Sequence, residues 1–237
     1  MARPTSLPAV SLVCTLLFSV LSGCSSIYYA GLEKVGIPKR DLLVRRVERA
    51  QEAQEDAKKQ FSSALERFRA TVHVEGGDLA ERYDALRDEL ARSEKRSKDL
   101  DERIDEVEDV AEALFDEWED ELDDYHRTDL RAASARRLDE TKRDYAPMIS
   151  AMKRAHKRID PVLDAFRDVV LALKHQLNAK AVASIRGELE GVEREVTALL
   201  SAMNASITEA TKFLGKLDAV SSSGGARVGR LSMPRFL

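Results

Sequence analysis

The feature that most constrains this chain is a long interval that is almost free of helix-breaking residues. No glycine occurs between Gly77 and Gly187, and the only prolines in this interval are Pro147 and Pro161. In a helix interior glycine costs about 1 kcal/mol and proline about 3 kcal/mol, so their scarcity favours extended helix. Charged residues make up 34% of the chain and aromatic residues only 5%, which leaves few bulky groups for a large globular core. This balance is typical of long helices packed in thin layers.

Apolar residues recur at steps of four and three in the first part of the chain, which is the seam of a coiled coil. The seam positions are Leu43, Val47, Ala50, Gln54, Ala57, Phe61, Ala64 and Phe68. The spacing predicts a first helix over Lys39–His73, with Gln54 as the one polar residue on the seam. Pro38 precedes this helix because proline is tolerated only at a helix start, and Gly76 and Gly77 suit the tight reversal that ends it.

The same spacing predicts a second helix from Leu79 to about Tyr125, capped by Asp78. Its seam consists of Leu79, Tyr83, Leu86, Leu90, Ser93, Ser97, Leu100, Ile104, Val107, Ala111, Leu114, Trp118, Leu122 and Tyr125. At ~1.5 Å per residue this helix would be a rod on the order of 70 Å long. We interpret Ser93 and Ser97 as a structural thin spot in the seam.

A third helix is predicted from Thr128 or Asp129, whose side chains can cap its free amides. Its seam consists of Leu130, Ala133, Leu138, Thr141, Tyr145, Met148, Met152, Ala155, Ile159, Val162, Phe166, Val169, Leu173 and Leu177. Pro147 and Pro161 should each kink this helix, or the Asp160-Pro161 pair starts a fresh helix with proline in its first turn.

A fourth helix is predicted over about Ala179–Leu217, and a tail without periodicity opens at Ser221. The seam of this helix consists of Ile185, Leu189, Val192, Val196, Leu199, Met203, Ile207, Ala210 and Phe213. Short connections force neighbouring helices to run in opposite directions. We therefore predict an all-α fold, an elongated antiparallel helical bundle with long coiled-coil hairpins. The alternative is a pair of hairpins that bend at the two prolines and have protruding ends.

Residues 21–24, Leu-Ser-Gly-Cys, are typical of a bacterial lipobox. Upstream, Arg3 supplies a positive charge, and the apolar run over residues 7–21 is shorter than the roughly 20 residues that span a bilayer, which favours a cleaved signal. We expect cleavage between Gly23 and Cys24, with residues 1–23 removed and Cys24 acylated. The alternative is an ordinary secretory signal that carries a cysteine.

The cysteine count supports this division of the chain. Cys14 would leave with the signal, so the mature chain keeps only Cys24 and has neither a disulfide framework nor a thiol nucleophile. Ser25 rather than an aspartate follows, which in the enterobacterial sorting rule predicts the outer membrane, here its inner leaflet facing the periplasm. We expect a lipidated linker over residues 24–38, a helical domain over 39–217 and a disordered basic tail over 218–237.

Three strings of sequence carry a family resemblance. They are Tyr29–Asp41, the pattern Arg46-Val47-Glu48-x-Ala50, and Leu173–Ala181. In these strings the chain resembles an uncharacterised family of Gram-negative envelope lipoproteins, domain of unknown function 2959. The resemblance covers nearly the whole mature chain up to about Leu217. It implies the helical fold and the envelope location, and it implies no activity.

Lys174, His175 and Asn178 lie at the predicted join between the third and fourth helices. They could form a buried polar corner that binds a small ligand or a metal, or Asn178 caps the fourth helix while His175 donates to a carbonyl group. A metal site usually needs three or four convergent ligands, and no spacing of His, Cys or carboxylates supplies them here. We predict no metal, no cofactor and no catalytic residue. The isolated histidines, expected in solvent or at corners, are His73, His126 and His156.

Residues 116–124 form an acidic run around Trp118 and Leu122. A calcium loop would need the backbone to turn around the ion, whereas a helix spreads its carboxylates around a cylinder, so a solvated helix end is the favoured interpretation. The net charge of −4 argues against binding nucleic acid. The tail arginines Arg227, Arg230 and Arg235 could contact anionic lipid headgroups or an acidic partner, or the tail is simply disordered.

The sequence contains no serine elbow, phosphate loop or nucleotide motif, so an enzyme is the weaker class. The leading hypothesis is a membrane-tethered periplasmic lipoprotein that acts as a structural or interaction scaffold. The alternative is an adaptor or accessory subunit of an envelope transport or stress system. The expected partners are membrane lipid, through acylated Cys24, and either an envelope protein or a second copy of the chain.

Overall fold

The computed structural model describes residues 38–73, 79–175 and 179–225. Its helices are α1 (Lys39–His73), α2 (Leu79–Glu121), α3 (Thr128–Lys157), α4 (Ile159–His175) and α5 (Ala179–Gly225), and a 3-10 turn, Leu122–Asp124, follows α2. These ranges contain no strand, and the all-α prediction is confirmed. The 43 residues of α2 span about 65 Å at ~1.5 Å per residue, close to the expected rod.

Ion pairs along the helices show that α1 and α2 run in opposite directions. Lys39 lies 2.8 Å from Glu117, and Arg46, further along α1, lies 2.7 Å from Glu106, which comes earlier in α2. Residue numbers that rise in one helix therefore pair with numbers that fall in the other. The first hairpin is antiparallel, as the short connection predicts.

The remaining contacts complete a bundle with four corners. We call a corner the position of one helix in the bundle, or of α3 and α4 together, which follow each other along one line. Glu94 of α2 pairs with Arg167 of α4, and Lys153 of α3 pairs with Glu108 of α2, so α3 and α4 together form the third corner. The fourth corner is α5, which packs against α1 on one side and against α3 and α4 on the other. The prediction of long, antiparallel helices is confirmed.

The apolar seams meet at the centre of this bundle. Every seam position predicted for α1 is buried, including Gln54. Leu100 and Ile104 in the middle of α2 are 0% and 2% exposed, and the seam of α5 is buried from Leu189 to Phe213 with one exception described below. Phe68 of α1 and Phe166 of α4 reach across the core, with ring centroids 6.4 Å apart. Burial of these faces is the main source of stability in such a bundle.

The predicted third helix is divided into two at Arg158. This residue keeps a helical backbone, but α3 ends before it and α4 begins at Ile159. Pro161 lies in the first turn of α4. Backbone N–H groups in a first turn have no acceptor within the helix, so the N–H that proline lacks costs no helical hydrogen bond. Asp160 lies inside that turn rather than at its cap. Pro147, in contrast, lies inside α3, which continues through it.

The predicted cap of α3 is wrong. Thr128 is already helical, and the residue before it, Arg127, has an extended backbone with φ −98° and ψ 119° and no capping side-chain hydrogen bond. The carboxylate of Asp129 lies 2.6 Å from the Arg127 guanidinium, and the backbone N–H groups of Asp129 and Leu130 add to the lowering of its pKa.

Three predicted seam residues around the start of α3 are exposed. Tyr125 is 41% exposed and Leu130 is 45% exposed, and Ala133 is exposed as well. The reason is that α1 begins only at Lys39, opposite Glu117, so the end of α2 and the start of α3 lie beyond it. Burial of a seam needs a neighbouring helix, and the described part of α1 stops short of this end.

The last helix is longer than predicted, because α5 continues past Leu217 to Gly225. The predicted helix features that lie outside the described residues include the Gly76-Gly77 reversal, the Asp78 cap and the seam residue Leu177. Among the described helices, none combines the length and the apolar character that a membrane crossing requires.

Candidate functional site

The alternating directions of the helices give the bundle two different ends. We call the entry end the one that holds Lys39, the connection over residues 122–127 and Gly225. The far end holds the ends of α1 and α4 and the starts of α2 and α5. The chain therefore enters the bundle and leaves it at the same end, because three reversals of direction return it to where it began.

Two basic side chains fix the start of α1 at the entry end. The Lys39 ammonium lies 2.8 Å from Glu117 of α2, and its side chain is only 11% exposed. The Arg40 guanidinium donates a hydrogen bond to the backbone carbonyl of Leu217 in α5. The backbone N–H groups of Asp41 and Leu42 donate to the Pro38 carbonyl at 3.0 and 3.1 Å, which closes the first turn. The first two residues of α1 are thus bound to two neighbouring helices.

The acidic run lies on the surface of the entry end. Glu119 pairs with Lys142 of α3, and Asp123 lies 2.6 Å from Arg131. Four further exposed carboxylates have no ion pair within the described part of the chain, namely Asp116, Asp120, Glu121 and Asp124. The last turn of α2 contains no basic residue, so these charges also oppose the negative end of the helix dipole. The solvated helix end expected from the sequence is what the structure contains.

Trp118 lies at the base of this end and is the only tryptophan of the chain. Its indole N–H donates a 2.9 Å hydrogen bond to the Ser134 hydroxyl of α3. Trp118 and Leu122 pack against the core while remaining partly exposed, as the sequence analysis placed them on the seam. Trp118 therefore reports on the environment of the entry end.

At the far end, the two described members of the predicted polar corner are exposed. Lys174 and His175 occupy the last turn of α4, where positive charge favours the helix dipole. Asn178 lies outside the described residues. Gathering of the three side chains into a ligand site stays a prediction.

The other histidines have separate surroundings. The His156 ring lies 3.3 Å from Asp101 across the contact between α3 and α2, and its side chain is 22% exposed. His126 is exposed, and its ring nitrogen lies 3.1 Å from the Asp124 carbonyl. Within the described residues no group of three His, Cys, Asp or Glu side chains has an arrangement that could hold a metal ion.

The centre of the bundle holds a buried polar pair that the sequence analysis recognised only in part. The Gln54 amide N–H donates a 2.8 Å hydrogen bond to the Ser206 hydroxyl, and both residues are 0% exposed. The amide oxygen Oε1 of Gln54 is buried without a hydrogen-bond partner among the described residues. The seam of α5 was predicted to pass through Ile207, which is wrong, since Ser206 occupies the buried position and Ile207 is half-buried. Because a buried amide needs a polar neighbour, the position of Gln54 on the seam could have indicated that Ser206 rather than Ile207 faces the core.

A second buried polar group, Glu89, was also missed. Its carboxylate accepts a 2.7 Å hydrogen bond from the Gln60 amide and lies 2.8 Å from Arg92. The predicted seam residue beside it, Leu90, is only partly buried. Ser93 is buried, and its hydroxyl donates to the Glu89 carbonyl at 2.9 Å, so the thin spot is filled by polar groups.

Two groups on the contact between α2 and α3 have altered acidity. Burial raises the pKa of the Tyr145 hydroxyl, and the nearby charges of Glu108 and Glu112 act in the same direction. Burial also raises the pKa of the Asp105 carboxyl, helped by the neighbouring Asp101. In both cases burial is the larger cause, and the carboxylates of α2 add to it.

The proposed lipidation residue and cleavage site, Cys24 and Gly23, lie outside the described residues, as do Arg227, Arg230 and Arg235. No curated protein and no solved structure matches the chain. One family model, described as a protein of unknown function, DUF2959, matches residues 28–217. The match covers well over half of the sequence and includes every helix from α1 to most of α5. The chain therefore belongs to the DUF2959 family.

Proposed function

We propose that this chain is a lipoprotein of the bacterial cell envelope, held in the inner leaflet of the outer membrane by acylated Cys24 and facing the periplasm. The observation that carries the proposal is the Leu-Ser-Gly-Cys tetrad at residues 21–24, at the boundary between an apolar segment and a polar chain. Lipid attached at this point is an anchor that does not require a membrane-spanning helix.

The arrangement of the helices supports an upright orientation for such an anchored protein. Lys39 follows Cys24 by 15 residues and lies at the entry end, so the tether is attached to that end of the bundle. The far end is then about 65 Å away, the length of α2. An anchored bundle would carry its far end into the periplasm.

The charge of the entry end supports the same orientation. Asp116, Asp120, Glu121 and Asp124 are exposed there, and like charges repel this surface from anionic headgroups. The lipid on Cys24 would hold the entry end at the membrane, while the negative charge of that end repels the headgroups. Together they would keep the bundle from lying flat on the bilayer. In this position the chain acts as a scaffold that presents its helical surfaces and its far end.

A second candidate function is an adaptor for an envelope system, and one observation favours it. Leu171, in α4 close to the far end, is 52% exposed, the highest value among the exposed large apolar side chains of the described residues. An exposed apolar side chain at the tip of a projecting bundle is suited to bind a helix of another protein.

The anchoring proposal is tested by replacing Cys24 with Ala. Because Cys24 is the only acceptor that the tetrad provides, we expect loss of acylation, with the signal left uncleaved or the protein released from membranes. Detergent phase partition and mass spectrometry measure the outcome. Ser26→Ala, outside the tetrad, serves as the control and should mature normally. Normal maturation and unchanged partition of Cys24→Ala would remove the lipoprotein proposal.

The scaffold and adaptor functions are separated by photo-crosslinking in intact cells. A photoreactive amino acid at position 171 samples the far end, and one at position 109 samples the exposed side of α2. One stoichiometric partner captured only from position 171 would support the adaptor. Self-crosslinks, or material bound to peptidoglycan, would support the scaffold.

A further inference from the structure

The entry end of the bundle has three long corners and one short one. The α1 corner begins at Lys39, which is paired with Glu117. Beyond that level α2 continues to Glu121 and the chain adds the turn at Leu122–Asp124 before α3 starts. The described part of α1 therefore provides no neighbour for the last turn of α2.

The α5 corner also extends past the start of α1. Lys216 of α5 pairs with Asp144 of α3, and α5 continues nine residues beyond Lys216 to Gly225. Since the two helices are antiparallel and rise equally per residue, the end of α5 reaches the level of about residue 135 of α3. The last turns of α2 and α5 and the first turns of α3 thus surround a position that α1 does not reach.

Apolar side chains remain uncovered at this position. Tyr125 and Leu130 are two of the three large apolar residues that are exposed in the described part of the chain, and Trp118 and Leu122 are only partly covered. Below this level the same helices bury the seam residues Leu114 and Leu138, which are 8% and 3% exposed. The change occurs where α1 begins, so the missing cover belongs to the α1 corner.

The segment that immediately precedes α1 has the composition to provide this cover. Residues 28–37 read Tyr-Tyr-Ala-Gly-Leu-Glu-Lys-Val-Gly-Ile, with apolar side chains at 28, 32 and 35, the steps of four and three that the α1 seam uses. The family match begins at residue 28, so this segment belongs to the family domain although it precedes the first described helix. One Glu and one Lys leave it without net charge, which adds no repulsion to an acidic surface.

We infer that residues 28–37 pack on the entry end at the α1 corner and cover Tyr125 and Leu130. The segment acts as a fourth corner where the described helices supply three. Two other occupants are less well supported. The tail over residues 226–237 lies outside the family match, and a second copy docked end to end would bring the exposed carboxylates Asp120, Glu121 and Asp124 of two entry ends together.

Disulfide trapping tests this packing directly in the full chain. The starting protein has Cys14→Ser and Cys24→Ser, which removes both native cysteines. Leu32→Cys is then paired with Leu130→Cys, and the control pairs Leu32→Cys with Leu171→Cys, a site at the far end that is slightly more exposed. We expect mild oxidation to form an intramolecular disulfide in the first pair and none in the control. Equal crosslinking of both pairs, no crosslink in the first, or only disulfide-linked dimers would overturn the inference.

Trp118 gives a second measurement that does not depend on introduced cysteines. Replacing Leu32 and Val35 together with Asp should release the segment, shift the Trp118 emission to the red and increase its quenching by acrylamide. Lys34→Asp changes charge on the same segment without touching the apolar positions, and it should leave both signals unchanged. If removal of residues 226–237 produced the red shift and the Leu32/Val35 variant did not, the tail would be the occupant and the inference would be wrong.

Discussion

The middle of the bundle and its entry end have the same sequence pattern but different degrees of burial. In the middle, the spacing of four and three selects Leu100 and Ile104, and both are buried among four corners. At the entry end the same spacing selects Tyr125 and Leu130, which are exposed beyond the first residue of α1. Periodicity therefore identifies the apolar face of a helix, and burial depends on whether a neighbour reaches that face.

The largest effect that would test this comparison is a charge in the middle of the seam. Leu100→Asp or Ile104→Asp would bury an unpaired carboxylate and lose apolar contact, and we expect the free energy of unfolding to fall by several kcal/mol, on the order of 4. Urea unfolding followed by circular dichroism measures the change. Glu102→Ala, on the exposed face of the same helix, is the control and should change stability by less than about 0.5 kcal/mol. A reversed order would show that the face of α2 is assigned incorrectly.

An intermediate effect is expected at the buried polar pair. Ser206→Ala removes the only hydrogen-bond partner of the Gln54 side chain among the described residues, and an unsatisfied buried amide costs about 1 to 3 kcal/mol. Combining it with Gln54→Leu makes both positions apolar and should restore most of the loss. Urea midpoints of the single and double variants provide the measurement. If the double variant were less stable than Ser206→Ala, Gln54 would stabilise the bundle by more than its hydrogen bond to Ser206.

The smallest effect distinguishes the entry end from an open surface. Leu171→Ala, at an exposed site of the far end, should change the free energy of unfolding by less than about 0.5 kcal/mol. Leu130→Ala should cost about 1 kcal/mol if residues 28–37 cover the side chain, since part of a buried leucine is then lost. Both leucines are close to half exposed in the described structure, so a thermal or urea comparison of the two is well matched. Equal costs would indicate that Leu130 has no cover.

Much of the fold could be predicted because long helices leave few choices. The bounds of α1 follow from Pro38 at its start and from Gly76 and Gly77 after its end, and the division near Pro161 follows from the missing N–H of proline. The finer errors have one origin. Choosing Ser206 over Ile207, or Glu89 over Leu90, means rotating a helix by about one residue, or ~100°. That rotation is set by polar partners on other helices, here Gln54 and Gln60, and one helix considered alone does not reveal it.

The candidate site was harder to predict than the fold. The lipobox needs no tertiary structure to be recognised, because a peptidase and an acyl transferase act on a linear tetrad. The Lys174 and His175 corner depends on how two helices meet, and both side chains point to solvent where the structure describes them. Spacing along the chain brings residues to the same end of a bundle, but it does not determine whether they converge.

The cyclic packing of the four corners restricts how this protein can change length. Each corner contacts its two neighbours, and the Gln54–Ser206 pair sits in the core at one level of the bundle. An insertion in one helix alone would carry every seam residue beyond it out of register with both adjacent corners. Only insertions of about seven residues, made at the same level in all four corners, preserve the facing seams, and each would lengthen the rod by about 10 Å. Relatives with a longer or shorter bundle should therefore differ by sets of matched heptads. The added or missing turns should lie on the same side of the Gln54–Ser206 pair in every helix, either toward the far end or toward the entry end.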